Sequence, residues 1–170
     1  MVSKALENAI NDQISSELYS SNLYLSMAAY CELINLRGFA KFFRTQSDEE
    51  REHALKLYDY MITRNAKVKI KAIEMPPSTF SSLANLCQQF YDHEREVTAM
   101  INNIYDLAQN ENDYPTHVIL HWFINEQVEE ENTALTILEQ VKMAGKDSAA
   151  ILILDQRVVG EIAEGGGEEA

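Results

Sequence analysis

From Leu6 onward, core-type residues recur at alternating steps of three and four. Leu6, Ile10, Tyr24, Met27 and Cys31 share one line with Gln13, Glu17 and Ser20. That is the period of one helix face in a bundle, and it predicts a helix over residues 4–34. A second line runs through Phe39, Phe43, Gln46, Glu50, His53, Leu57, Tyr60 and Arg64. A third passes Leu83, Cys87, Phe90, Glu94, Val97, Ile101, Ile104 and Ala108, with Ser81 as its expected N-cap. The fourth holds Leu120, Phe123, Gln127, Glu130, Ala134, Ile137, Val141 and Ala144, and Pro115 suits its first turn.

The connections separate these helices into neighbours. Asn35 and Gly38 punctuate a short first link, and QNENDYP forms a short third one, so each joins antiparallel partners. Residues 65–80, AKVKIKAIEMPPSTFS, break the helical period: lysines alternate with Val68 and Ile70 as in an extended segment, and Pro76-Pro77 excludes a helix interior. About 16 extended residues reach roughly 50 Å, enough to run the length of a ~40 Å helix. The second and third helices can therefore run parallel across one long crossover, the alternative being a plain up-down bundle. Gly145 stops the fourth helix, and Asp147-Ser148 can cap a short fifth one over AAILILDQRVVG. Its apolar run Ala149 to Leu154 leaves no polar face for a whole turn, which predicts burial or a subunit contact. The expected domain is 1–160, and the remainder, 161–170, ending GGGEEA, is expected to be unstructured.

With 170 residues, 46% of them hydrophobic, the chain suits one domain with its own core. No apolar run approaches the roughly 20 residues of a membrane span, and the N-terminus turns polar at once, so a cytoplasmic location is expected. Cys31 and Cys87 sit in apolar helical pattern, as buried thiols do. A net charge of −13 disfavours nucleic acid and anionic membrane as partners and favours small cations.

Charge matters most where it falls on the core lines. Each line carries one carboxylate near mid-helix: Glu17, Glu50, Glu94 and Glu130, with His53 one turn from Glu50 and Gln127 one turn from Glu130. Four buried carboxylates at one level repel each other and lose hydration. Two divalent cations would cancel their charge of −4, and Glu50-x-x-His53 has the i, i+3 spacing to hold the same ion. Carboxylates with one imidazole and no thiolate suit Fe2+ or Mn2+ better than Zn2+ or Cu2+, and dioxygen chemistry favours iron. Glu49, Glu126, Glu129 and Glu130 offer a third cation site, although a solvated acidic face accounts for them equally well. Tyr24 can set its hydroxyl against a metal ligand or act in electron transfer, a satisfied core hydroxyl being the commoner case. Trp122 is expected to pack, His93 to be exposed, and the His117/His121 pair is a weak metal candidate.

The stretches NAINDQISSELYSSNLYLSM, QSDEEREHALKLYDYM, YDHEREV and WFINEQVEEEN, with the fifth helix, resemble the bacterial non-haem ferritins over nearly the whole chain. The resemblance implies an all-α, ferritin-like four-helix bundle with the long crossover and a short fifth helix. It implies a diiron ferroxidase centre of Glu17, Glu50, His53, Glu94, Gln127 and Glu130, with Glu50 and Glu94 shared, Tyr24 beside it, and a third iron site of Glu49, Glu126 and Glu129. It also implies a homo-oligomeric shell of 24 subunits that oxidises Fe2+ with O2 or H2O2 and stores ferric oxyhydroxide, the fifth helix lying at the fourfold contact. Departures are informative. Bacterioferritins carry a second Glu-x-x-His where this chain has Gln127-x-x-Glu130, and a haem-binding methionine where it has Arg51, so haem is not expected. Animal ferritins line their iron channel with acids where this chain reads YPTHVILHW, which leaves the route for iron open. A diiron oxygenase and a rubrerythrin-like peroxidase use the same ligand types, but the cysteine-rich module of rubrerythrins is absent here. DNA-protecting mini-ferritins lack a fifth helix.

Overall fold

The computed structural model describes residues 2–165, with side chains through Val158. Five helices follow in order: α1 Lys4–Leu33, α2 Arg37–Thr63, α3 Leu83–Glu111, α4 Tyr114–Ala144 and α5 Ser148–Gly165. Their starts are capped by hydroxyl or carboxylate oxygens that take up free backbone N–H groups. Ser3 Oγ accepts from Leu6 N at 3.1 Å, Ser82 Oγ from Asn85 N at 3.0 Å, and Asp113 Oδ1 from Thr116 N at 3.1 Å. The cap of α3 is thus Ser82, one residue beyond the expected Ser81. Asn35, Asn65 and Asn112 follow α1, α2 and α3 with φ of 60°, 53° and 56°, the left-handed conformation that asparagine tolerates and that ends a helix.

Short turns make α1 antiparallel to α2, and α3 antiparallel to α4. At the far end of α2, Arg64 pairs in bidentate fashion with Asp113, the N-cap of α4, at 2.9 Å for each bond. The end of α2 therefore meets the start of α4, which makes α2 and α3 parallel and assigns the crossover its job of traversing the bundle. Asn11, 1% exposed, tethers it: Nδ2 donates to Lys67 O at 2.9 Å and Oδ1 accepts from Lys69 N at 2.6 Å. Further on Lys71 pairs with Asp12, Ser26 donates to Pro77 O, and the Tyr30 and Phe80 rings meet at 5.2 Å. The crossover thus runs along α1 from residue 11 to residue 30. Its expected alternation holds at half-buried Val68 but fails at exposed Ile70, because backbone tethering rather than side-chain burial fixes this segment.

The core forms two apolar clusters with a polar layer between them. One gathers Tyr24, Met27, Phe39, Phe43, Phe90 and Ile137 with Leu154 and Val158 of α5. The other gathers Leu6, Ile10, Leu57, Met61, Ile101 and Phe123. Cys31 and Cys87 are both buried free thiols in the first cluster. On α2 the core line drifts at its ends: Gln46, Tyr60 and Arg64 are half-buried, while Ser47 and Met61 are buried beside them.

Gly38 lies in the first turn of α2 rather than in the preceding turn, and a Cβ there would stand 1.7 Å from the Asp155 carbonyl oxygen of α5. The same Asp155 caps α2 across the chain, accepting from Phe39 N at 2.9 Å, where Leu36 offers no side-chain cap. α5 is part-buried through Leu154 and Val158, while Ile153 is 57% exposed. The stretch 161–170, expected to be unstructured, begins inside α5, which continues to Gly165; residues 166–170 lie outside the described residues.

Candidate metal centre

The polar layer is assembled from the middles of four helices. α1 supplies Glu17, α2 supplies Glu50 and His53, α3 supplies Glu94, and α4 supplies Gln127 and Glu130. None exceeds 9% exposure, the value for Glu130, and Glu94 is at 0%. One ligand atom from each of Glu17, Glu50 and His53 lies within 4.8 Å of the others, and the same holds for Glu50, Glu94 and Glu130. Glu50 stands in both groups, and Glu94 in one. His53 Nδ1 is 3.5 Å from Glu50 Oε2 and 3.9 Å from Glu130 Oε1.

Hydrogen bonds satisfy this layer unevenly. Glu94 accepts at both oxygens: from the Tyr24 hydroxyl, and from Gln127 Nε2 at 3.2 Å. Gln127 Nε2 also donates to Thr98 Oγ1 at 3.1 Å. Glu17 accepts from Gln13 Nε2 at 2.9 Å on one oxygen only. Glu17 Oε2, Glu50 Oε2 and Glu130 Oε2 are buried without a hydrogen-bond partner. Among the described residues no lysine or arginine forms an ion pair with any of the four acids.

Titration follows from that environment. Loss of hydration raises the pKa of all four carboxyls, and for Glu50 the repulsion of Glu17, Glu130 and Glu94 adds to it. Glu94 rises only to about 7, because the bonds from Tyr24 and Gln127 oppose its burial. Burial, then the charge of Lys56, pushes His53 down to about 4, so its imidazole is a neutral donor of a nitrogen lone pair. Tyr24 is held well above its usual range by burial and by Glu94, and stays a protonated donor. Buried oxygens without partners, converging like charges and a neutral imidazole together fit hard or borderline divalent cations.

The other candidates are placed differently. Glu49 and Glu129 are exposed and Glu126 is half-buried. Glu49 and Glu126 both raise the Glu130 pKa, so they share its neighbourhood, but neither close three-ligand group includes Glu49, Glu126 or Glu129. Trp122 packs edge-on against His53 at 5.2 Å between ring centroids, with Lys56 Nζ 3.6 Å from the indole centroid. His117 stacks on Tyr105 at 4.6 Å, and His121 Nε2 lies 3.4 Å from the Tyr105 hydroxyl. His93 corrects the expectation of exposure: it is half-buried, its Nε2 2.8 Å from Ser20 Oγ, and burial pushes its pKa down to about 4. Helical pattern alone assigns no role to Gln13 or Thr98, although Gln13 sits one turn before Glu17 on the same face.

Residues 7–144 match the family model described as a ferritin-like domain. The chain belongs to the ferritin family. Among its ferritin relatives, the bacterial non-heme ferritin of Bacteroides fragilis is 40% identical over 158 residues, covering 93% of this chain and 98% of the relative. That of Staphylococcus aureus is 37% identical, covering 93% and 95%. An open-pore ferritin from the archaeon Archaeoglobus fulgidus superposes with a TM-score of 0.92 at 40% identity, over 94% of this chain and 98% of that one. The ferritin fold, a four-helix bundle with a short C-terminal helix, accounts for all five helices described here.

Proposed function

We propose that this chain is an iron-storage ferritin subunit that oxidises Fe2+ at the centre formed by Glu17, Glu50, His53, Glu94, Gln127 and Glu130. The observation that carries the reading is the buried layer itself: four carboxylates and one imidazole in two close groups that share Glu50, with no lysine or arginine among the described residues paired to them. The names of the relatives, bacterial non-heme ferritins, support iron as the cation.

Fe2+ is the substrate. Two ions carry +4 against four carboxylates, displace the protons that burial retains there, and leave His53 a neutral ligand. Glu50, common to both close groups, is the bridging candidate. Glu17 and Glu130 each keep one unpartnered oxygen, so either can pass between one- and two-oxygen ligation as iron changes valence. Glu94 is held on both oxygens by Tyr24 and Gln127 and keeps its orientation meanwhile. Each Fe2+ gives up one electron and the oxidant takes two: O2 with two protons yields H2O2, and H2O2 with two protons yields two waters. Glu49, Glu126 and Glu129 form the proposed third iron site, supported by the electrostatic contact of Glu49 and Glu126 with Glu130.

Storage of ferric oxyhydroxide requires a shell, and a 24-subunit homo-oligomer is part of the proposal. Exposed Leu152 and Ile153 on α5 and exposed Met143 support a contact between subunits there. No helix among the described residues is long and apolar enough to cross a membrane, and a cytoplasmic location completes the reading.

Stopped-flow mixing of the metal-free protein with two Fe2+ per chain in aerated buffer tests it. The wild type should consume the oxidant rapidly and Glu130→Ala should lose the fast phase. Size-exclusion after loading should return iron with a particle on the order of 470 kDa, for 24 chains of 19.4 kDa. Absence of oxidant uptake by the wild type would refute the ferroxidase, and a dimer would refute storage.

A further inference from the structure

Two hydrogen bonds cross from α1 to α3 beside the centre. Tyr24 donates to Glu94, and one turn earlier on α1, Ser20 meets His93, the residue before Glu94. A hydroxyl has one proton to give. Ser20 Oγ lies 3.1 Å from Ser16 O, which can only accept, and 2.8 Å from His93 Nε2. Both contacts are hydrogen bonds in one arrangement alone: Ser20 donates to Ser16 O, and His93 Nε2–H donates to Ser20. Ser20 is 0% exposed, so this bond is sheltered from competing water.

The imidazole so anchored forms one wall around Tyr24. Its ring meets that of Tyr24 at 5.9 Å and 84°, alongside the apolar contacts of Phe90 at 5.1 Å and 89° and Phe43 at 6.3 Å. Tyr19 closes the outer side of His93 at 5.6 Å. The Tyr24 hydroxyl meets Glu94 only while that ring keeps its place and α1 keeps its register on α3.

We infer that His93, pinned by Ser20, is a positioning residue that holds the Tyr24 hydroxyl on Glu94. It touches no metal-ligand carboxylate in the two close groups and acts through Tyr24. This rests on the ferroxidase reading for its consequence in rate, and on geometry alone for its consequence in structure.

The test is a double-mutant cycle. Ser20→Ala deletes the anchor and keeps the packing; Tyr24→Phe deletes the hydroxyl it positions. Each is expected to slow oxidation of two Fe2+ per chain by roughly 2- to 10-fold, the range one neutral hydrogen bond supports. The double variant should be no slower than Tyr24→Phe alone, because the anchor has nothing left to position. His93→Gln, which keeps an N–H within reach of Ser20, should restore most of the rate that His93→Ala loses. Crystals of metal-free Ser20→Ala should show the Tyr24–Glu94 bond lengthened or lost. Multiplicative effects in the double variant, a Ser20→Ala or Tyr24→Phe protein as fast as wild type, or an unmoved Tyr24 would each overturn the inference. Wild type that fails to oxidise Fe2+ refutes the ferroxidase reading instead, and the crystal then decides the positioning by itself.

Discussion

Removing one acid from the centre is expected to strengthen the metal-free bundle. Glu50 is 2% exposed, repelled by Glu17, Glu130 and Glu94, and has one oxygen without a partner. Glu50→Gln keeps the shape and deletes the charge. The scale comes from Glu94, whose pKa rises from 4.5 in the unfolded chain to about 7 in the fold. Between those values the folded state holds a proton that the unfolded chain has released, so stability falls as pH rises, by about 1.4 kcal/mol per pH unit. Over the whole interval the loss is on the order of 3 kcal/mol. Glu50 is shifted in the same direction for the same first cause, loss of hydration. The metal-free Glu50→Gln protein should therefore match the wild type near pH 4.5 and exceed it increasingly toward pH 8, the gap widening by at most about 1.4 kcal/mol per pH unit, each kcal/mol showing as about 2–4 °C in Tm. Calorimetry on chelator-treated protein from pH 4.5 to 8 measures the gap. Adding Mn2+ at pH 8 should then raise the wild-type Tm more than that of the variant, because dications replace the missing protons. A gap that does not widen with pH, or a variant less stable at pH 8, would refute the reasoning.

Gly38→Ala would place a Cβ against the backbone carbonyl of Asp155, so α5 must shift; a loss of about 3 kcal/mol or more is expected in calorimetry, with smaller assemblies on size-exclusion. Asn11→Asp replaces the donor to Lys67 O with an acceptor and should cost about 1–3 kcal/mol, with faster hydrogen exchange confined to the crossover. Arg64 holds the Asp113 pKa down at about 2 against 3.8 when unfolded, so that pair contributes fully above pH 4 and is lost as pH falls toward 2. Acid titration of wild type against Asp113→Asn should show a stability difference that closes across that window.

Fold and site were legible in the sequence to different depths. The four core lines and the crossover could be read because helical period and proline positions are local signals, and buried Glu17, Glu50, Glu94 and Glu130 lie on those lines. The α2 line slipped at its ends, where Ser47 and Met61 take the buried places, because 3.6 residues per turn drifts against a strict three-four alternation. Gly38 looked like turn punctuation because its real constraint, the backbone of Asp155, is more than a hundred residues away in sequence. His93 was misplaced for the same kind of reason. One residue off the α3 core line, it turns toward α1, and the small Ser20 opposite it leaves room for an imidazole that periodicity alone assigns to solvent.

The polar layer also parts the oil of the bundle into two drops that scarcely share a side chain. Repacking around Phe90 and α5 at one end need not be felt at Leu6 and Ile101, so the two ends can be altered one at a time while the waist is kept. What joins the halves there is a belt of acids that push one another apart, so dications held at the waist would set how stiffly one end of the molecule follows the other.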